Sequence, residues 1–242
     1  MIKVGEVEAL FRYPIKSMAG EALEEVGLGW HGLEGDRRLA FRRIGDLGGF
    51  PWLTASKLPA LLQFTPVRRE ADSLPTHVRT PEGEELALFS SELAAEVGYR
   101  YGSPVEMTHL NRGIFDEASI SAITNATVNE IAALAGQTPD VRRFRPNLLI
   151  TLQQSQPFAE DAWVGGVLSF GDGAAAIAIT NWDERCSMVN FDPDSGLRTP
   201  EVLKAVVRER KNKAGVYGTV VRCGRLAVGQ SIYFTPTASP PK

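Results

Sequence analysis

The sequence predicts a mainly β protein of the β-barrel type with a few short helices. Many short stretches of β-forming residues are separated by turns that use the 23 glycines and 15 prolines of the 242-residue chain. Only three stretches have helical patterns, and strands do not alternate with helices as in a parallel βαβ sheet. The hydrophobic content of 43% and charged content of 23% are ordinary for a globular protein.

The first hundred residues favour short strands and one helix. Residues 3–11 form a β-compatible run that Pro14 stops. Ser90 is expected to cap a helix over residues 91–97, which Gly98 ends. The other predicted strands of this half cover residues 23–28, 38–43, 61–68, 77–80 and 86–89.

The second half also favours short strands, together with two helices. Residues 127–130 read Thr-Val-Asn-Glu, a capping box that predicts a helix start, and Gly136 predicts its end. Thr199 is expected to cap the last helix, with Pro200 at its first position. The predicted strands cover residues 105–110, 147–152, 167–170, 174–180, 218–222 and 228–234, the third and fourth forming a hairpin around residues 171–173.

Charge and composition exclude several classes of protein. A formal net charge of −3 argues against general nucleic-acid binding, which needs a basic surface. The chain has no apolar run of about 18 residues and no secretory signal, so we expect a cytoplasmic protein without a membrane span. Cys186 and Cys223 are the two cysteines, and they indicate no disulfide framework. A bridge between them is the less favoured alternative.

The usual catalytic motifs are missing from the sequence. The three histidines, His31, His77 and His109, are scattered, so we expect no zinc site. No Gly-x-Ser-x-Gly elbow occurs, and no Gly-x-Gly-x-x-Gly segment opens a helix. Hydrolase and dinucleotide-binding functions therefore have little support.

Three basic segments could bind an anion. Residues 13–17 (Tyr-Pro-Ile-Lys-Ser) place a lysine and a serine after a rigid proline. Arg37 follows a glycine-rich turn, and Arg145 precedes Pro146 and Asn147. An arginine fork suits phosphate, and an asparagine amide suits the edge of a heterocycle. Residues 13–17 also have a plain interpretation as a polar turn that ends a strand, and each segment alone is a weak indication.

Cys186 is the candidate soft ligand for a metal. A thiolate binds soft or borderline metals, and the neighbouring Arg185 favours the thiolate form. The competing interpretation is a small buried cysteine that serves packing. Cys223 precedes a turn with no second ligand type beside it, so a structural role is favoured there.

Taken in order, these segments resemble the MOSC proteins that carry an N-terminal MOSC β-barrel domain. The resemblance runs over nearly the whole chain, through residues 13–17, 36–37, 143–147, 184–186, 192–196 and 224–230. It implies an N-terminal β-barrel-like domain over residues 1–100 and a MOSC domain over residues 101–238. Residues 239–242 are expected to form a disordered tail.

In relatives such as the mitochondrial amidoxime-reducing component, a molybdenum cofactor lies between the two domains. The resemblance makes Cys186 the molybdenum ligand and the catalytic position. Glu184 stands where the relatives have Ser. The matched cofactor-binding positions are Lys16, Ser17 and Arg37 for the pterin phosphate, Arg145 and Asn147 for phosphate and pterin, Thr124 for a serine of the site, Glu184 and Arg185 beside the metal and, as a looser match, Thr54.

The resemblance implies a molybdenum-cofactor reductase that removes oxygen from N-hydroxylated compounds. The chain lacks the four cysteines of a plant-type iron–sulfur cluster, so electrons are expected from a separate donor protein. One alternative is a sulfur carrier or transferase with a persulfide on Cys186. Domains of this kind have been linked to pyridoxal phosphate. Another is a cofactor carrier without turnover.

Overall fold

In the computed structural model, which describes residues 1–69, 74–172 and 175–237, sixteen strands and three α-helices form. The mainly β prediction is confirmed. The helices are α1 (Ser91–Tyr101), α2 (Asn125–Ala135) and α3 (Glu201–Arg210). The strands are β1 (Ile2–Arg12), β2 (Glu21–Leu23), β3 (Glu25–Gly29), β4 (Gly32–Leu33), β5 (Leu39–Arg43), β6 (Thr65–Val67), β7 (His77–Arg79), β8 (Glu85–Ala87), β9 (Val105–His109), β10 (Ile120–Thr124), β11 (Leu148–Leu152), β12 (Val167–Phe170), β13 (Ala175–Glu184), β14 (Lys213–Arg222), β15 (Gly224–Ala227) and β16 (Ser231–Thr235).

Seven strands close into a barrel in the order β11-β10-β14-β13-β12-β16-β1, and β1 pairs back with β11. Pairing is antiparallel except between β10 and β11. Buried side chains such as Leu10, Ile150 and Phe170 fill the interior. Because β1 begins the chain and the other six strands come from its second half, the two halves are interlocked rather than merely in contact.

The two longest strands of the second half carry the barrel wall toward the candidate site. β13 and β14 pair over most of their length, with register shifts at three points. Such irregularities increase the local twist and re-aim side chains. They leave Asp183 and Glu184 at the end of β13, immediately before Arg185 and Cys186.

The first half builds a second core outside the barrel. Two small sheets, β5–β9 and β6–β7–β8, surround fully buried side chains that include Leu39 and Phe64. The strand predicted over residues 61–68 is only partly correct, because Pro59–Gln63 forms a 3-10 turn and only Thr65–Val67 is a strand. Pro59 opens that turn, and Leu61 and Leu62 are buried in it.

The helix boundaries follow their caps. Ser90 accepts a hydrogen bond from Leu93 N (3.1 Å), as predicted for α1. The helix continues past Gly98 to Tyr101 and ends at Gly102, which has a φ of 82°. Gly98 is not a stop because an added Cβ there would lie 3.2 Å from the carbonyl oxygen of Ser103, so the glycine serves close packing.

The capping box predicted at residues 127–130 is wrong. Thr124 caps α2, since its hydroxyl accepts a hydrogen bond from Thr127 N (3.2 Å), and the predicted end at Gly136 is confirmed. The prediction that Thr199 caps α3 is wrong, because Pro200 stands at the cap and no side chain of the described residues makes a capping hydrogen bond there. No helix in the described ranges is long and apolar enough to cross a membrane.

The hairpin of β12 and β13 is confirmed, although residues 173 and 174 of its predicted turn and strand lie outside the described residues. The predicted tail, residues 239–242, also lies outside them.

Barrel closure depends on Gly5, and we expect Gly5→Ala to destabilise the fold. A Cβ at Gly5 would overlap the carbonyl oxygen of Thr151 across the β1–β11 pairing, where the atoms in contact are backbone. Strain of this kind costs about 3 kcal/mol of unfolding free energy. Urea denaturation measures it, with Gly29→Ala as the control. A Cβ at Gly29 would meet nothing closer than 3.9 Å. Equal stability of the two variants would contradict the claim that barrel closure depends on Gly5.

Candidate functional site

A cleft of about 430 Å³ collects most of the predicted site residues. Both halves of the chain contribute to its lining, so it lies between the barrel and the second core, which the first half builds. Of the residues named from the sequence, it brings together Lys16, Ser17, Arg37, Thr54, Arg145, Glu184, Arg185 and Cys186.

Three cleft residues have strained backbones. Among the described residues, six non-glycine positions have a positive φ: Ser17 (68°), Arg37 (49°), Arg145 (50°), Phe158 (63°), Lys211 (51°) and Asn212 (71°). Each such conformation costs on the order of 1 kcal/mol or more in a non-glycine residue. That half of them are cleft residues favours a functional reason for the strain, because strained positions cluster at binding and catalytic sites.

A tyrosine ring separates two of the cleft arginines. The guanidinium carbon of Arg37 lies 4.8 Å from the ring centroid of Tyr13, and that of Arg145 lies 4.2 Å from it. Asp36 accepts a hydrogen bond from Arg37 (2.6 Å) and another from Tyr13 N (2.7 Å). Burial opposes the charge of Arg37, but the Asp36 carboxylate together with Tyr13 and Tyr217 outweighs that effect, so the pKa of the guanidinium is raised.

Arg145 is a half-buried cation of the cleft with little compensation for its charge. Its Nη1 donates to the carbonyl of Met18 (2.8 Å), and among the described residues no carboxylate forms an ion pair with it. Burial lowers the pKa of Arg145 to about 10, so the group stays charged at neutral pH. A desolvated cation without a carboxylate partner favours an anionic ligand.

Lys16 is 5% exposed and reaches the cleft from the segment that follows β1. Its ammonium donates to Asp116 (2.7 Å) and lies 5.4 Å from the ring centroid of Phe50. Burial lowers the pKa of Lys16, and the Asp116 carboxylate counteracts part of this effect. Since Asp116 is 65% exposed, an anion in the cleft can replace or share that partner.

Arg185 is held rigidly at the barrel end of the cleft. Its guanidinium donates to the carbonyls of Ala214 (2.6 Å) and Phe144 (2.8 Å) and pairs with Asp183 (2.8 Å). Asp183 is buried and also accepts from the Ser121 hydroxyl (2.9 Å). Burial raises the pKa of Asp183 to about 6, although Arg185 favours the ionised form.

Cys186 is exposed in the cleft, so the interpretation that it is a buried packing residue is wrong. It precedes the 3-10 turn Ser187–Asn190 and is not paired with Cys223, since both cysteines are free. Cys223 is half-buried and is not among the residues that line the cleft. The thiol of Cys186 is therefore available to a ligand.

The turn after Cys186 fixes the basic loop across the cleft. Asp192 accepts a hydrogen bond from Ser195 N (2.9 Å) within the turn, and its other oxygen accepts from Arg143 (3.0 Å). Asp194 receives two hydrogen bonds from Arg142, both at 2.7 Å. These contacts tie residues 140–146 to residues 192–196 and so hold Arg145 in place.

The structure does not bring Thr124 or Asn147 into the cleft lining. Thr124 is fully buried, and its hydroxyl caps α2 and donates to Glu160 (3.0 Å). The amide of Asn147 is used within the protein, since its nitrogen donates to Asp36 (3.1 Å) and its oxygen accepts from Arg37 (3.3 Å). Asn147 therefore positions Arg37.

Several lining residues were missed by sequence reasoning. Asp183 and Tyr217 come from β13 and β14, where the register shifts hide which residues face the cleft. Arg143 adjoins Arg145 and could have been found from the basic run alone. The other missed residues are Phe50, Ser56, Lys57, Asp116, Ser121, Phe144, Met188 and Val189.

Charge and chemistry together define what the cleft can bind. Among the described residues, its lining has six cationic side chains and three carboxylates, those of Asp116, Asp183 and Glu184. A net positive cleft with one exposed thiol and several hydroxyls suits an anionic ligand that carries a soft metal.

Two family models match the chain. The MOSC domain model matches residues 107–233, and the MOSC N-terminal beta barrel domain model matches residues 4–112. No curated protein matches the chain.

Among solved structures, the YUAD protein from Bacillus subtilis is similar to this chain. It is 16% identical, with 95% of this chain and 94% of that chain covered and a TM-score of 0.52, a likeness of fold alone. YiiM from Geobacillus stearothermophilus is 17% identical, with 49% of this chain and 54% of that chain covered and a TM-score of 0.39.

Proposed function

The chain belongs to the MOSC domain family, and we propose that it holds a molybdenum–pterin cofactor in its cleft and reduces N-hydroxylated compounds there. The family is associated with molybdenum-cofactor binding. The observation that carries the proposal is the exposed Cys186 thiol in a cleft whose cations include the buried Lys16 and the half-buried Arg145.

The residues present fit such a cofactor. Cys186 would ligate the metal, since a thiolate suits molybdenum as a soft donor. Lys16, Arg37 and Arg145 would hold the anionic phosphate, and the uncompensated charge of Arg145 gives the strongest reason to expect one. Glu184 is the exception, because a carboxylate does not favour an anionic group.

When bound, the cofactor supplies oxygen-atom transfer. The overall reaction takes an N-hydroxy compound, two electrons and two protons to the reduced nitrogen compound and water. The chain's own residues bind and orient the cofactor and furnish protons. We propose that the electrons come from a separate donor protein, since the two cysteines are too few for a four-cysteine cluster. We also propose that the reaction takes place in the cytoplasm, since both cysteines are free.

Metal analysis of the purified protein tests the proposal. We expect about one molybdenum per chain after expression in a host that makes the cofactor, and almost none from a host that cannot make it. The loaded protein should reduce hydroxylamine or an amidoxime with a reduced dye as electron source. Absence of both molybdenum and fluorescent oxidised pterin from the wild-type protein would contradict the proposal.

The sulfur-carrier alternative uses the same thiol but gives no reason for the cations around it. It predicts a persulfide on Cys186 without bound molybdenum, and the mass of the intact chain would show the added sulfur. A carrier without turnover expects bound molybdenum and pterin with no reductase activity. The same preparation therefore separates the three functions.

A further inference from the structure

One buried carboxyl group in the cleft is not among the residues proposed to hold the cofactor. Asp183 is 1% exposed and lines the same cleft as Cys186. It accepts a hydrogen bond from the Ser121 hydroxyl (2.9 Å) and pairs with Arg185 (2.8 Å), and Tyr217 lies beside it. A buried carboxyl group that lines a cleft is placed where it can exchange a proton with a bound molecule.

Tyr217 connects Asp183 with a second cavity. This side cavity measures about 370 Å³ and shares Asp116, Glu184 and Tyr217 with the main cleft. The exposed carboxylates of Asp116 and Glu117 line it and can exchange protons with solvent. Tyr217 therefore touches the cleft, the side cavity and the buried carboxyl group.

We propose that Asp183 and Tyr217 form a relay that delivers a proton to the departing oxygen of the substrate. The relay rests on the proposed function. As the N–O bond breaks with two electrons from the separate donor protein, Tyr217 Oη gives its proton to that oxygen and takes one from the Asp183 carboxyl group. That oxygen already carries one hydrogen, so this proton completes the water; the second proton, from solvent, goes to the nitrogen, and the side cavity returns a proton to Asp183.

The burial of the relay residues supports this direction of transfer. Asp183 faces Ser121 on β10, Arg185 after β13 and Tyr217 on β14, with Arg37 as a further charge. Burial raises the pKa of Asp183 to about 6, so it holds a proton in mild acid and loses it as the pH rises through that value. Burial also raises the pKa of Tyr217, which keeps the hydroxyl protonated and able to donate.

Infrared spectroscopy of the cofactor-free protein tests the buried acid without any activity measurement. The C=O stretch of a protonated carboxyl group should disappear as the pH rises through about 6. Asp183→Asn should lack this band, and Glu160→Gln should keep it. Glu160 is the matched control because it is a buried carboxyl group with a raised pKa outside the cleft. Absence of an Asp183 band would overturn the relay.

The loaded enzyme tests the transfer itself. Tyr217→Phe and Asp183→Asn should keep wild-type molybdenum content and lose about 100-fold in reductase rate, as for other general acids. The fall in rate through pH 6 should vanish in Asp183→Asn and persist in Glu160→Gln. Loaded variants with wild-type rate and pH profile would overturn the relay. If Asp183→Asn does not fold, Tyr217→Phe decides. A wild type without molybdenum would contradict the proposed function instead.

Discussion

Cys186→Ser should lose reductase activity by roughly 1,000-fold or more and most of its bound molybdenum. Cys186 carries the one thiol among the described residues that line the cleft, and a serine hydroxyl is a poor replacement for a soft metal. Loss of a ligand that holds the reacting centre removes transition-state stabilisation of about 4 kcal/mol at that fold-change. Dye-linked reduction and metal analysis of the same preparation measure both effects.

Cys223→Ser is the matched control for this result. Cys223 is the other free cysteine, half-buried and outside the cleft lining. Its variant should keep both activity and molybdenum. If Cys186→Ser also kept them, the thiol would not be the ligand. If both variants lost them together, the loss would reflect general damage to the fold.

Arg145→Met should weaken cofactor retention by about 100-fold while stabilising the cofactor-free protein. A hydrogen-bonded charge of this kind contributes about 3 kcal/mol to holding an anion, which corresponds to that fold-change. Without a ligand the guanidinium is desolvated and has no carboxylate partner, so its removal relieves a cost. Ultrafiltration followed by metal analysis measures retention, and thermal unfolding measures stability.

Arg142→Met provides the comparison in the same basic loop. Arg142 is exposed and pairs with Asp140 and Asp194 outside the cleft. Its variant should keep the cofactor, because Arg143 still ties the loop to Asp192. It should lose a little stability, because the Arg142 ion pairs are broken. Equal retention by the Arg145 and Arg142 variants would contradict the role assigned to Arg145.

The fold was predictable where a residue type permits one local structure. Pro14 ends the first strand, Ser90 begins α1 and Gly136 ends α2, because each has a strong backbone preference. The start of α2 was misplaced, since Thr124 and Thr127 both satisfy a capping pattern and only tertiary contacts select Thr124. Its hydroxyl also binds Glu160, far away in the chain.

The site was predictable for side chains on turns and unpredictable for those on strands. Lys16, Arg37 and Arg145 lie on turns whose glycines and prolines mark them in the sequence. Which face of β14 Tyr217 lies on depends on the irregular register with β13, which no alternation of residue types reveals. Asn147 was predicted to contact the cofactor, but its side-chain oxygen accepts a hydrogen bond from Arg37 instead.

X-ray absorption at the molybdenum edge tests most directly that this cleft holds a cysteine-ligated molybdenum. The metal in the wild-type protein should have one more sulfur neighbour than in any residual metal of Cys186→Ser, where an oxygen takes its place. Cys223→Ser should match the wild type. Identical sulfur coordination in wild type and Cys186→Ser would contradict the assignment, and with it the function proposed for the cleft.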